Sequence, residues 1–138
     1  MPDPENEPAP NRRSRATAGD QVRLVLPAEP DYGRLARIAA SSLALRLGLT
    51  FAEIEDLRLA IDETVILLLR PEGGAGDITL EFTIEANALV VDASTTAGEG
   101  QHWLDAGARQ RFDEIVADTV DVHEVDEALS RVHLVKRY

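Results

Sequence analysis

The feature that most constrains this sequence is a helix whose second half is apolar on nearly every side. The segment opens at Thr50, and Glu53 lies three residues on, which is the spacing of a capping box that satisfies the free N–H groups of a helix N-terminus. Its first half carries an apolar stripe, and from Val65 to Leu69 no polar residue interrupts the run. A helix that is apolar all round is stable only when it is buried. The rest of the chain must therefore surround it.

Hydrophobic periodicity predicts the elements that do so. Residues 78–84 and 89–93 alternate in polarity on either side of a short turn that contains Asn87, so they should pair as a hairpin. In chain order we predict a strand at 21–26, helices at 31–47 and 50–69, the two hairpin strands, a helix at 108–117, and a last hairpin of strands near 120–122 and 132–137. This β–α–α–β–β–α–β–β order predicts an α+β two-layer sandwich, with helices on one face of a mixed, mostly antiparallel sheet.

The length of 138 residues suits a single domain. Residues 1–20 are rich in proline and show no apolar periodicity, so we interpret them as a flexible tail and residues 21–138 as the domain. The start of the chain does not resemble a signal peptide, and its apolar runs are far shorter than the ~20 residues of a membrane-spanning helix. The absence of cysteine excludes disulfides and thiolate metal sites. These features predict a cytoplasmic protein.

The chain is acidic, with a formal net charge of −11. Direct binding to nucleic acid is therefore not expected, because contact with phosphates needs a Lys/Arg surface. The charge suits a basic partner protein. The three histidines, His102, His123 and His133, lack metal-ligand spacing, although the last two are placed to neighbour each other across the final hairpin. No metal site is predicted.

Three segments together resemble a known family. They are the helix run EDLRLAIDET at 55–64, the opening VRLVLPAEPDYGRLARIAA, and the ending DTVDVHEVDEALSRVHLVKR. They look like the anti-sigma factor serine kinases of the histidine-kinase-like ATPase (GHKL) superfamily, which has the Bergerat fold, and most closely like its actinobacterial branch. The resemblance covers about residues 21–138. It implies a regulator that binds a sigma factor and an anti-anti-sigma antagonist in a partner-switching system.

The family's nucleotide motifs match only in part. Its second helix carries Glu-x-x-x-Asn, and the resemblance places Glu63 at the position of the general base and Leu67 at that of the Mg²⁺ ligand. Leucine offers no oxygen to a hard cation. In the Asp-x-Gly-x-Gly motif, Thr95 replaces the aspartate that holds adenine, and Ala97 replaces the first glycine. Choosing Asp92 as the match instead would reverse the faces of the strand.

A glycine-rich lid is equally hard to find, since Gly98, Gly100 and Gly107 do not form the family's Gly-x-Gly-Leu run. The resemblance thus predicts a degenerate kinase, a pseudokinase, with weak or no ATP binding. ATP and Mg²⁺ are expected as cofactors only if kinase activity is retained. A structural role for Glu63 is the alternative, in an ion pair with Arg58 or Arg70 or exposed on the remnant of the pocket.

The family's partner-binding arginine lies on the first helix, and an ungapped count from Glu63 places Arg37 there. Arg34, one turn earlier, would extend the same surface. Both could also be ordinary solvent-exposed arginines. Trp103, in the loop before the third helix, is either a core residue over the remnant pocket or an anchor for a partner.

Three functional hypotheses follow. The first is sequestration of a sigma factor with little or no nucleotide chemistry. The second is an active serine kinase that phosphorylates its antagonist, and the third is a scaffold or dimerisation module unrelated to sigma factors. A homodimer is compatible with each of them.

Overall fold

The computed structural model describes residues 18–69, 75–97 and 106–138. Most of the predicted tail, residues 1–17, lies outside these ranges. In chain order the elements are β1 (Gln21–Pro27), a 3₁₀ turn (Pro30–Tyr32), α1 (Gly33–Arg46), α2 (Phe51–Leu68), β2 (Asp77–Ile84), β3 (Ala88–Thr95), α3 (Ala106–Val116), β4 (Val122–Asp126) and β5 (Arg131–Arg137). The predicted α+β class and element order are confirmed. Within the described ranges, no helix has the length and hydropathy needed to cross a bilayer.

The sheet has five strands in the order β1–β2–β3–β5–β4, and both predicted hairpins are present. We expected a mixed sheet, yet all four pairings are antiparallel. The connections explain this. Two helices separate β1 from β2, so the chain reverses direction at three turns and β2 returns antiparallel to β1. The single helix α3 makes β3 and β4 run the same way, but β5 lies between them, so the two parallel strands are not neighbours.

The helices cover one face of the sheet, and the core lies between the two layers. Alternate residues of β2 and β3 face this layer and are almost fully buried, among them Ile78, Leu80, Phe82, Ile84, Leu89, Val91 and Ala93. The helix α1 contributes Ala36, Ala40 and Ala44, each with no exposed surface. Small side chains at this spacing form one narrow stripe, which lets α1 approach its neighbours closely. The apolar half of α2 is buried between these elements except at Ile66, which is 53% exposed, so the expected burial on all sides holds only in part.

The predicted capping box starts α2. The Thr50 hydroxyl accepts a hydrogen bond from the Glu53 N–H at 3.2 Å, and the Glu53 carboxylate accepts one from the Thr50 N–H at 2.8 Å. The bond from the Thr50 backbone is the main reason that the pKa of Glu53 lies below its ordinary value. Gly48, with φ of +79°, ends the preceding helix in the left-handed region that glycine adopts without strain. The α1–α2 connection is therefore specified locally.

Lys136 joins the two layers at the end of β5. Its side chain is only 12% exposed, and its Nζ donates a hydrogen bond to the Thr119 carbonyl at 2.9 Å. The same Nζ lies 3.8 Å from an Asp56 carboxylate oxygen on α2. The ammonium group thus holds the last strand against α2 and the turn that follows α3.

Replacing Thr50→Ala should lower the free energy of unfolding by about 1 kcal/mol, because it removes the hydroxyl of the capping box. Urea denaturation followed by circular dichroism measures the change. The control is Thr50→Ser, which keeps the hydroxyl and should retain most of the stability. An equal loss in both variants would show that the cap does not stabilise the helix.

Candidate functional site

Glu63 lies in the buried half of α2, and its side chain is 9% exposed. Arg111 of α3 reaches it, with the arginine Nη2 3.4 Å from the glutamate Oε1. We expected Arg58 or Arg70 in this role. Arg58 instead pairs with Glu55 at 2.7 Å, and Arg70 lies outside the described residues. A carboxylate in an apolar helix thus finds its counter-charge on a neighbouring helix, which reduces the cost of burying it.

Leu67 lies one turn beyond Glu63 and belongs to the hydrophobic core, with 6% of its surface exposed. Residues four apart project from the same helix face, so the Glu63 and Leu67 side chains lie on one side of α2. A glutamate carboxylate and a leucine do not make a pair of oxygen ligands. The donor set at these two positions therefore does not fit Mg²⁺.

Thr95 and Ala97 form a packed corner where β3 ends. The Thr95 hydroxyl donates to the Asp77 carbonyl at 3.2 Å and accepts from the Ala97 N–H at 3.0 Å. Both residues are buried. Gly76 fits tightly against this corner at φ of +131°, because a Cβ there would lie 2.8 Å from the Ala97 nitrogen. The Thr95 hydroxyl is therefore engaged in hydrogen bonds within the fold, and this side chain has no carboxylate to accept a bond from an adenine amino group.

Asp92 lies on the face of the sheet opposite to the helices that the structure describes. Its Oδ1 is 2.7 Å from His133 Nδ1 and 3.8 Å from Arg131 Nη2. This agrees with the sequence argument that Asp92 cannot replace Thr95 without reversing the strand. The predicted proximity of His123 and His133 is wrong. Glu124 is the residue opposite His133, so His123 is on the other face, where its ring packs edge-on against Phe112 with centroids 6.1 Å apart.

Arg34 and Arg37 line a groove between α1 and α2 of about 440 Å³, here called the α1–α2 groove. Its lining residues are Arg34, Arg37, Ile38, Ser41, Ser42, Ile54, Glu55 and Arg58. The guanidinium of Arg37 is not free, because its Nε lies 3.1 Å from the Asp62 Oδ1 on α2. The two arginines predicted from the resemblance thus share one surface.

Sequence analysis missed the roles of Arg111 and Asp62. Arg111 lies 48 residues from Glu63, and no local spacing indicates that they meet. Asp62 directly precedes Glu63, and the two carboxylates pair with arginines of different helices. The predicted lid glycines Gly98 and Gly100, together with His102 and Trp103, lie outside the described residues, whereas Gly107 lies in the first turn of α3.

Several curated proteins similar to this chain carry the name serine-protein kinase RsbW. The chain is 35% identical over 82 residues to the serine-protein kinase RsbW of Listeria monocytogenes serotype 4a (strain HCC23), an alignment that covers 57% of this chain and 52% of that protein. The chain is thus similar to RsbW serine-protein kinases over somewhat more than half of its own length. It is 31% identical over 75 residues to RsbW of Bacillus subtilis (strain 168), covering 52% of this chain and 47% of that protein. No family model matches the chain.

The chain spans about half the length of the curated RsbW proteins that it matches. The relatives named here come from Listeria and Bacillus, so the actinobacterial assignment stays a prediction. The likeness agrees with the resemblance that the helix around Glu63 suggested.

Replacing Arg111→Ala should lower the free energy of unfolding by about 1 kcal/mol, because it leaves the mostly buried Glu63 carboxylate without its ion-pair partner. In the Glu63→Gln background, Arg111→Ala should lower the free energy of unfolding by less, because the carboxylate that it paired with is already absent. A double-mutant cycle measured by urea denaturation gives the coupling energy.

The control pair is Arg109 with Asp113, on the same helix at 3.0 Å, where both side chains are well exposed. Its coupling should be no more than about 0.5 kcal/mol. A coupling between Arg111 and Glu63 no larger than this would contradict the structural role of the pair.

Proposed function

We propose that this chain binds and sequesters a sigma factor in a partner-switching system, with ATP binding lost or weakened. An anti-anti-sigma antagonist would compete for the chain and release the sigma factor. The proposal combines the likeness to RsbW proteins with the surface on which Arg34 and Arg37 lie together. The observation that supports loss of ATP binding is that Glu63 is ion-paired to Arg111 and Leu67 belongs to the hydrophobic core.

Four residues argue against nucleotide chemistry. They are Glu63 and Leu67 on α2, and Thr95 and Ala97 at the end of β3. Glu63 is ion-paired to Arg111. To accept a proton from a serine hydroxyl, its carboxylate would first have to separate from the Arg111 guanidinium. Leu67 supplies no ligand for Mg²⁺. The Thr95 hydroxyl bonds to the Asp77 carbonyl and the Ala97 N–H, and Ala97 is buried where the family has a glycine. The net charge of −11 adds repulsion toward a polyphosphate.

The retained glutamate favours a second candidate, an active serine kinase that phosphorylates the antagonist. The RsbW relatives carry that activity in their name. An active kinase would need Mg²⁺ to be held by an oxygen from another residue, because Leu67 has no side-chain oxygen. Asp62 is the neighbouring carboxylate, but it faces Arg37 on the α1 side. Incubation with the antagonist and labelled ATP separates the two candidates by whether phosphate is transferred.

Sigma-factor binding should depend on Arg37. Each sigma factor of the source organism is purified and titrated against the chain by biolayer interferometry. At least one should bind, and Arg37→Ala should weaken it by roughly tenfold or more, as for a central interface arginine. Arg46→Ala, an exposed arginine at the far end of the same helix, should bind as the wild type does.

Two outcomes would contradict this assignment. If no sigma factor binds the wild-type chain, sequestration is wrong. If Arg37→Ala and Arg46→Ala weaken binding equally, the interface lies elsewhere on the chain.

Titration calorimetry with Mg-ATP should give no saturable heat at micromolar concentrations, because the metal ligand and the adenine-binding carboxylate are missing. Glu63→Ala should give the same flat titration. Saturable micromolar binding that Glu63→Ala or Asp92→Ala abolishes would contradict the loss of ATP binding.

A further inference from the structure

The α1–α2 groove is basic in a chain that is strongly acidic. Arg34, Arg37 and Arg58 line it, and the side chains of Ile38 and Ile54 form apolar surface between them. Ile38 is 53% exposed, so part of this apolar surface is open to a ligand. Arginines around an apolar groove suit an amphipathic segment with carboxylates at its rim and apolar residues at its centre. The occupant that fits is an acidic amphipathic segment of a partner protein.

Two of the three arginines already have carboxylate partners within the chain. Arg37 lies 3.1 Å from Asp62, and Arg58 lies 2.7 Å from Glu55. The Asp62 and Arg37 side chains are 38% and 36% exposed, so a ligand can reach the pair. The groove is therefore partly neutralised before any partner arrives.

An incoming carboxylate meets Asp62 in either of two ways. If it takes the Nε edge of Arg37, it must displace Asp62, and the stabilisation of that pair is lost. If it takes the outer edge of the guanidinium, two carboxylates lie close together and repel each other. In both cases Asp62 opposes the binding of an acidic ligand at Arg37.

We propose that Asp62 is an intramolecular competitor for Arg37 that weakens the docking of an acidic partner segment in the α1–α2 groove. This rests on the proposed function, because it concerns the same partner-binding surface. The expected consequence is faster release of a bound acidic segment, because affinity differences at one interface appear mostly in the dissociation rate.

The probe is a fluorescently labelled amphipathic peptide in which leucines and glutamates recur at helical spacing, with a second peptide that has glutamine in place of glutamate. Fluorescence anisotropy at low salt measures both dissociation constants against the full chain. The glutamate peptide should bind more tightly than the glutamine peptide. Asp62→Asn should tighten binding of the glutamate peptide by roughly two- to five-fold, the range expected for an exposed ion pair.

Two controls isolate the competition. Asp113→Asn changes the net charge equally and releases an arginine from a similarly exposed pair on α3, so it should leave the affinity unchanged. In the Arg37→Ala background, Asp62→Asn should not tighten binding of the glutamate peptide, because the arginine for which Asp62 and the peptide compete is absent. Urea denaturation of each variant confirms that it is folded.

The proposal is overturned if Asp62→Asn binds the glutamate peptide no more tightly than the wild type, or if the glutamate and glutamine peptides bind equally. It is also overturned if the tightening persists without Arg37 or appears in Asp113→Asn. The sigma-factor titration keeps the two proposals apart. Failure of every sigma factor to bind, with the peptide series as expected, removes sequestration and leaves the competition standing.

Discussion

Burial of the second half of α2 is the constraint on which the rest of the structure depends. The buried residues of α2 extend from Glu63 and Leu67 on one flank to Val65 on the other, roughly 200° of the helix circumference, so α2 needs the sheet beneath it and a helix on each flank. The alanine stripe of α1 permits close packing on one flank, and Phe112 of α3 fills the other. A polar group in this half of the helix is costly unless it is paired.

The charged residues of α2 follow from that position. Successive residues on a helix point about 100° apart, so Asp62 and Glu63 can turn to different flanks of α2. Asp62 turns to Arg37 of α1, and Glu63 turns to Arg111 of α3. One short segment of α2 therefore connects the groove proposed to bind a partner with the side on which the family's nucleotide chemistry would occur.

The fold was largely predictable because its signals are local. The capping box at Thr50, the turn at Asn87 and the polarity alternation of the strands each act within a few residues, and they specified element type and hairpin pairing. The absence of a parallel pair was missed, because strand order across the sheet depends on where β5 inserts and not on any single segment. The misplaced histidines have a similar cause, since their faces depend on the register of the last hairpin.

The sequence by itself determined the order of the elements and most of the buried faces, since periodicity and spacing are readable along the chain. Only the tertiary structure decided which charges meet. Arg111 reaches Glu63 across 48 residues, and Arg37 reaches Asp62 rather than solvent, because the packing of three helices sets those distances. The buried hydroxyl of Thr95 likewise found its partners only when β2 and β3 closed on each other. Ion pairs and buried hydrogen bonds between distant segments depend on packing, and packing leaves no local pattern in a single sequence.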